Sequence, residues 1–522
     1  MPTNRGGTDT SGLSRRAFLV GLGGGGAALL AGCGGSKSSS ATSTVRATPA
    51  SSIAPAGDSA SASATGQSDA QALRRAIRGR VFAPGTQGYT AAARVYNLRF
   101  EGVHPRAVGR VVGAADVQAA VRVMAHRGVP VRARSGGHSY AGYSTLSNGV
   151  VIDLSELDSI VVDRRSKTAR VGAGAQLIDV YQALAKAGAV LPGGSCPSVG
   201  ISGVTLGGGF GLAGRRFGLT ADNIVSVNIV TADGRLRTVH AQTDRDLLWA
   251  LKGGGGGNFG IVTEFTFNVH PLPRSATFFN VTWPWSSASA AIAAWQSWAP
   301  HTTDKITSIL HLNSNNGRPT ISAVGQYLGS SAAVRGLLAP LLAVRGAALA
   351  GNAEMPYLQL QLLLAGCVGK TFAACHTVGS FPGATLPRQA FNAKSDYVAK
   401  PLPSAGRAAM VAATEAPGSG ALLCDSYGGA VNRVAPTATA FAHREQLFCI
   451  QYYGGGSSAS WIDQAWTKMR PYVSGQAYQN YIDPKLKGWQ QAYYAGNLPR
   501  LKATRQRVDP DHYFNFPQAI GR

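Results

Sequence analysis

The chain has 522 residues, 45% of them hydrophobic and only 14% charged. That balance supports buried cores, excludes disordered and collagen-like classes, and at this length calls for two substantial domains. The formal charge of +24 sits on dispersed arginines with no basic stripe, finger or helix-turn-helix spacing, so a nucleic-acid partner is not expected and a basic surface facing a cell exterior is.

Near the N-terminus, Ser14-Arg15-Arg16-Ala17-Phe18-Leu19 precedes an apolar, glycine-rich stretch too short to span a bilayer. It resembles a Tat signal, which exports proteins already folded and so favours a protein whose cofactor is installed before export. The stretch ends in Leu30-Ala31-Gly32-Cys33, similar to a lipobox, which makes residues 1–33 a signal and Cys33 the expected lipid anchor and the one membrane contact. Residues 34–68, rich in Ser, Ala, Thr and Gly, read as a flexible tether.

From residue 69 to about 274 strands and helices alternate. The spacing predicts a helix over Ala114–Arg127, a strand over Val129–Arg132, and further strands over Val150–Leu154, Ile160–Val162 and Ala169–Gly172. A helix over about Gln176–Ala187 follows, then a hairpin of Ile224–Thr231 and Leu236–Val239 across Ala232-Asp233-Gly234-Arg235, and a closing strand within Phe259–Phe267. From 275 to 475 the texture changes to strands interleaved with Ala-rich helices such as Ala288–Trp298 and Ala332–Leu342, which predicts an antiparallel sheet backed by helices. The aromatic, turn-rich segment 476–522 is expected to fold back onto the first domain. The class is therefore α+β.

Two glycine-rich loops carry the first chemical signal. Arg132-Ala133-Arg134-Ser135-Gly136-Gly137-His138-Ser139-Tyr140 follows a strand, where bare backbone N–H groups can approach a diphosphate. The longer loop from Gly193 to Gly211, with Cys196, Gly200 and Gly203 in it, repeats that chemistry. Neither is a Rossmann fingerprint, because no G-x-G-x-x-G opens a helix with a distal acid. Two such loops imply a large, flat, anionic ligand.

These loops, with Gly255-Gly256-Gly257-Asn258-Phe259-Gly260-Ile261-Val262-Thr263 and the ending Tyr493-Tyr494-Ala495-Gly496-Asn497-Leu498-Pro499-Arg500-Leu501 to Val508-Asp509-Pro510-Asp511-His512-Tyr513-Phe514, resemble the berberine-bridge-enzyme-like branch of the FAD-linked oxidases. The likeness runs from about residue 70 to the C-terminus. It implies a two-part PCMH-type FAD-binding domain and FAD bonded covalently through His138, at the 8-methyl carbon, and Cys196, at ring carbon C6. It also implies cofactor contacts at Gly136, Gly137, Ser139, Gly200, Gly203, Gly260, Val262 and Asn497, and places Ile201 and Ser202 beside the reactive ring. The chain departs from the family's usual Y-G-x-N at Tyr494-Ala495-Gly496-Asn497, which keeps the asparagine in register and puts the turn in question. Gly253–Gly257 also reads simply as a flexible loop.

Tyr478-Gln479-Asn480-Tyr481-Ile482-Asp483 is similar to the Y-x-N-Y-x-D pattern of the family's carbohydrate oxidases, which makes Tyr481 the expected catalytic base. A free tyrosine ionises near 10, so lowering it to about 7 needs roughly 4 kcal/mol from its surroundings. Asp425, Tyr427 and the Ala442-His443-Arg444 turn lie where an assisting group is expected, and Tyr452 and Tyr453 read equally as pocket walls. With lipid on Cys33 and flavin on Cys196, four cysteines remain, and the simplest of three connectivities pairs Cys367 with Cys375 and Cys424 with Cys449. No metal-ligand spacing occurs.

The resemblance implies an oxidoreductase that takes a hydride from a hydroxyl-bearing carbon of a small molecule or oligosaccharide, with dioxygen as acceptor. Oxidative cyclisation or desaturation of an alkaloid- or polyketide-like metabolite, and a ligand-binding envelope lipoprotein without turnover, stand as alternatives.

Overall fold

The computed structural model describes residues 58–522, so the twin-arginine element, the lipobox and most of the expected tether lie outside the described residues. The first described element is a helix, Asp58–Ala76, which begins inside the stretch expected to be tether. Its second half is docked: Ala70 and Leu73 are buried, and the buried Asp69 carboxylate takes Arg106 at 3.2 Å and Arg127 at 2.9 Å.

Two small sheets and a two-stranded ribbon, His270–Pro271 against Ala189–Val190, form the first half. One has four strands in the order Arg80–Phe82, Ala107–Arg110, Val150–Asp153, Val131–Arg134, the first pair antiparallel and the others parallel. The helix Ala114–His126 carries the chain from Ala107–Arg110 to Val131–Arg134 on the far side of Val150–Asp153, and its Val117, Ala120, Val121 and Met124 recur at helical spacing and are all buried. The following strand starts at Val131, two residues later than expected, because the Val129 N–H turns back to the Met124 carbonyl and ends the helix. The second sheet is antiparallel, in the order Ile160–Asp163, Thr168–Gly172, Ile261–Asn268, Ile224–Val230, Leu236–Val239, and includes the expected hairpin.

The other half is a seven-stranded antiparallel sheet in the order Ala348–Met355, Ala276–Trp283, Arg318–Tyr327, Ile306–Asn315, Ser419–Ser426, Phe448–Gly455, Phe391–Val398. One face, with Leu310, Leu312, Ala323, Leu422, Cys424 and Ile450, packs under the helices Ala288–Trp298, Ser404–Glu415 and Ala459–Met469. The alternate residues therefore face the first half.

That alternation corrects one expected disulfide. Cys367 and Cys375 are bridged, whereas Cys424 and Cys449 are both free and buried. Their strands are neighbours, but the register pairs Cys424 with Ile450 and Asp425 with Cys449, so the thiols emerge on opposite faces of the sheet.

The C-terminal segment returns to the first half. Tyr493, Tyr494, Leu501, Phe514 and Ile520 join its core, the Tyr513 hydroxyl donates to the Val129 carbonyl at 3.1 Å, and Arg507 meets Asp244 at 2.8 Å. Among the described residues no helix is long and apolar enough to cross a membrane.

Candidate functional site

A cavity of about 350 Å³ lies where the two glycine loops, the 253–263 segment, the C-terminal return and the open face of the seven-stranded sheet meet. Of the residues expected to touch a cofactor, His138, Cys196, Gly136, Gly137, Ser139, Gly200, Gly203, Gly260 and Val262 all line it. Asn497 does not. Its amide donates to the carbonyls of Pro436 at 2.8 Å and Thr439 at 3.1 Å, so it clamps a loop behind the cavity. Ile201 is fully buried in the core, while Ser202 lines the wall and donates to the Ala173 carbonyl at 2.6 Å. Gly256 and Gly257 line it as well, so the five-glycine run is more than a linker.

The glycines serve two purposes. A Cβ at Gly136 would stand 2.3 Å from the Gly200 nitrogen, and one at Gly200 would stand 2.2 Å from the Gly136 nitrogen, so these two let the loops touch backbone to backbone. A Cβ at Gly203 would meet nothing within 4 Å, and one at Gly256 only Leu206 at 3.9 Å, so these expose backbone to the open cradle. Tyr143 Oη and Arg132 Nε, both on residues that line the cavity, are buried without a hydrogen-bond partner among the described residues. Bare backbone, a cationic side chain and unmatched polar atoms along an otherwise apolar wall fit a flat ring system with a diphosphate tail.

His138 stacks on Tyr96 with ring centroids 3.9 Å apart and planes at 17°, and its Nε2 bonds Ser198 Oγ at 2.9 Å. The ring opens on the cavity, but the walls shut it from bulk water, and burial pushes its pKa down to about 3. It is a neutral imidazole across the physiological range.

At the sheet end the cavity is lined by Ile309, His311, Val324, Leu423, Asp425 and Gln451. Register explains the set: Ile309 pairs with Val324 and Asp425, His311 with Leu423, and Leu423 with Gln451, all on one face. Tyr481 comes down onto this face from the C-terminal segment, and its hydroxyl donates to Asp425 Oδ2 at 3.1 Å. Its ring stacks on Tyr140 at 5.5 Å and meets Tyr478 edge-on at 5.0 Å. The Tyr140 hydroxyl in turn accepts from Gln451 Nε2 at 2.9 Å.

The electrostatics of this cluster follow from its burial. Burial drives the Tyr481 hydroxyl well above its usual 10, and the Asp425 carboxylate adds to the rise. Asp425 is itself raised by burial to about 7, with the Tyr481 hydrogen bond opposing the rise. Of the two groups, the aspartate is the one that gives up its proton first as pH rises. Burial also lowers His311, to about 4, so it faces the cavity as a neutral donor and acceptor.

The remaining motif residues hold the site together. The Tyr478 hydroxyl accepts the N–H groups of Gly209 and Phe210, each at 3.0 Å, and Asn480 Nδ2 donates to the Val204 carbonyl at 2.9 Å. Asp483 pairs with the buried Lys394 at 2.7 Å. Tyr427, His443 and Arg444, offered as assistants, lie outside the cavity wall: Tyr427 is stacked on Phe210, His443 is held between Gln476 and the Tyr493 carbonyl, and Arg444 is paired with Asp222 at 2.6 Å. Tyr452 and Tyr453 are turned away as well, onto Asp396 and Gln389. His311, Gln451 and Tyr140 were not anticipated; the one signal available for them is a polar side chain inside an apolar strand or loop.

Fold and site together define a flavin-dependent oxidoreductase with a large FAD half and a sheet-walled substrate chamber. Residues 105–240 match the FAD binding domain family and residues 477–521 the berberine and berberine-like family. The chain is 34% identical over 458 residues to YgaK of Bacillus subtilis, named an uncharacterized FAD-linked oxidoreductase, covering 85% of this chain and 97% of that one. Among solved structures, BBE-like 1 of Physcomitrella patens superposes with a TM-score of 0.79 at 34% identity, over 86% of this chain and 98% of that one. Phl p 4, a grass pollen allergen with glucose dehydrogenase activity, does so with 0.78 at 29%, over 87% and 99%. The protein belongs to the berberine-bridge-enzyme-like FAD-linked oxidoreductases.

Proposed function

We propose that the protein oxidises the CH–OH group of a sugar or glycosylated metabolite, using FAD bonded through His138 and Cys196, with Asp425 receiving the hydroxyl proton through Tyr481. The observation that carries this reading is the Tyr481 to Asp425 hydrogen bond of 3.1 Å on the wall of the cavity that His138 and Cys196 also line. When bound, FAD supplies the two-electron acceptor for the hydride leaving the carbinol carbon. The chain's own residues manage the proton. As the substrate hydroxyl passes its proton to Tyr481 Oη, the tyrosine passes its own to Asp425 Oδ2, so the phenolate never has to persist in a buried site. Gln451 and His311, polar and uncharged on the same face, suit the remaining hydroxyls of a polyol. The relative with glucose dehydrogenase activity supports a sugar substrate. Dioxygen as the electron acceptor, giving hydrogen peroxide, and export with a lipid on Cys33 belong to the same reading.

The test is to add sugars and phenolic alcohols to the protein without oxygen and follow the yellow absorbance, then to repeat in air with a peroxide assay. Bleaching by a sugar, matched by one peroxide per turnover in air, is expected. Bleaching that Asp425→Asn leaves at full rate would refute the proton path. Flavin entirely released from acid-precipitated protein would refute the covalent attachment, and a Cys33→Ser variant that fractionates with membranes as before would refute the anchor.

A further inference from the structure

The hydrogen bond between His138 and Ser198 joins the two glycine loops. Ser198 is 4% exposed, and the His138 Nε2 at 2.9 Å is its hydroxyl's hydrogen-bond partner. Tyr96, stacked at 3.9 Å, fixes the plane of the imidazole, so the contact at Nε2 also fixes where Nδ1 points. Nδ1 has no hydrogen-bond partner among the described residues, and the ring lines the cavity. A neutral imidazole carries one proton, and the nitrogen that keeps it is set by the partner of the other.

We propose that Ser198 is the positioning residue for covalent flavin attachment: its hydroxyl holds Nε2, accepting from the Nε2–H tautomer of His138 that leaves the Nδ1 lone pair free to attack. The inference rests on the covalent linkage proposed above. The step forms one bond, from Nδ1 to the 8-methyl carbon, and breaks two, a C–H of that methyl group and the Nε2–H. The two protons and two electrons released pass to dioxygen, giving one hydrogen peroxide. A hydroxyl suits both ends of the step, because it accepts from Nε2–H beforehand and donates to the bare Nε2 afterwards. Alanine and valine can do neither, and threonine can do both.

The full-length protein, Ser198→Ala, Ser198→Val and Ser198→Thr are expressed with FAD and sampled at fixed times. In the flavin-bearing fraction of each, mass spectrometry gives the ratio of flavinylated to bare His138 peptide, and NMR of the flavopeptide identifies the nitrogen used. Restricting the ratio to protein that carries FAD separates attachment from folding. Attachment at Nδ1 in the wild type is expected, slowed about tenfold or more in the Ala and Val variants with Nε2 adducts appearing, and restored by Thr. Unchanged rate and site in the Ala and Val variants would overturn the role of Ser198 while leaving the linkage intact. Attachment through Nε2 in the wild type would do the same. A wild-type protein with no His138 adduct would overturn the linkage and this inference together.

Discussion

Replacing Asp425 by asparagine removes one carboxylate from the chamber and leaves its shape unchanged. In the folded protein the carboxyl is raised by burial from 3.8 to about 7, with Tyr481 donating to it. A rise of about three pH units is worth about 4 kcal/mol. Because the folded state holds this proton more tightly than the unfolded chain does, the stabilisation from protonation is complete below pH 4 and is lost as pH rises through 7. At pH 8 the wild type carries that cost and Asp425→Asn does not. The variant should therefore be more stable than the wild type by up to about 4 kcal/mol at pH 8 and close to equal at pH 4. Denaturant unfolding of the flavin-loaded proteins at a series of pH values measures the difference. Asp396, whose carboxyl is also raised by burial, titrates in both proteins and cancels. On the proposed proton path the same ionisation governs turnover: kcat/KM of the wild type should climb tenfold per pH unit below about 7 and level off above it, whereas the variant should lose about 10²–10⁴-fold and the limb with it. A stability difference that does not vary between pH 4 and 8 would refute the raised carboxyl, and with it the assignment of the proton to Asp425.

Ala495 occupies φ 44° and ψ −129°, backbone that favours glycine, at the position where the family pattern has glycine. Ala495→Gly should stabilise the fold by about 1 kcal/mol, seen as a higher melting midpoint. His138→Ala and Cys196→Ala should each keep one covalent link, with only the double variant releasing all its flavin into acid supernatant. Alkylation in denaturant without reductant should label Cys424 and Cys449 and leave Cys367 and Cys375 unmodified, as peptide mapping will show. His311→Leu should raise KM for a polyol substrate about five- to tenfold, the worth of one hydrogen bond, while covalent flavin content stays constant.

What was legible in the sequence was local. The helix Ala114–His126, the hairpin ending in Leu236–Val239 and both glycine loops announce themselves through spacing and composition, and His138 and Cys196 sit inside those loops. The place of Tyr481 on the cavity wall was legible through the motif around it. The pairing of Asp425 with Tyr481 was not, because it arises only when the register of two strands brings the carboxylate under the tyrosine. A single carboxylate within the run Leu422-Leu423-Cys424-Asp425 was the available warning, since a charge in a strand buried on both faces needs a reason. His311 was hidden for a related reason: its strand is covered on both sides, so polar and apolar residues do not alternate. The Cys424 to Cys449 pairing failed on a one-residue offset that adjacency alone does not reveal. Asn497 kept its place in the motif but was drawn to three loop carbonyls that belong to the other half of the chain.

The two N–H groups of Gly209 and Phe210 find their acceptor, the Tyr478 hydroxyl, 269 and 268 residues further along the chain. Until that tyrosine has been synthesised and docked, the loop that carries Cys196 has two donors without the partner they take in the finished fold, each worth roughly 1–3 kcal/mol once buried. Closure over so many residues is a late event in folding. The same segment delivers Tyr481 to Asp425, so completing the cofactor loop and assembling the proton pair are one event. A ribosome-bound chain stalled before residue 478 would have its glycine loops and its sheet, yet neither a finished flavin cradle nor a working chamber.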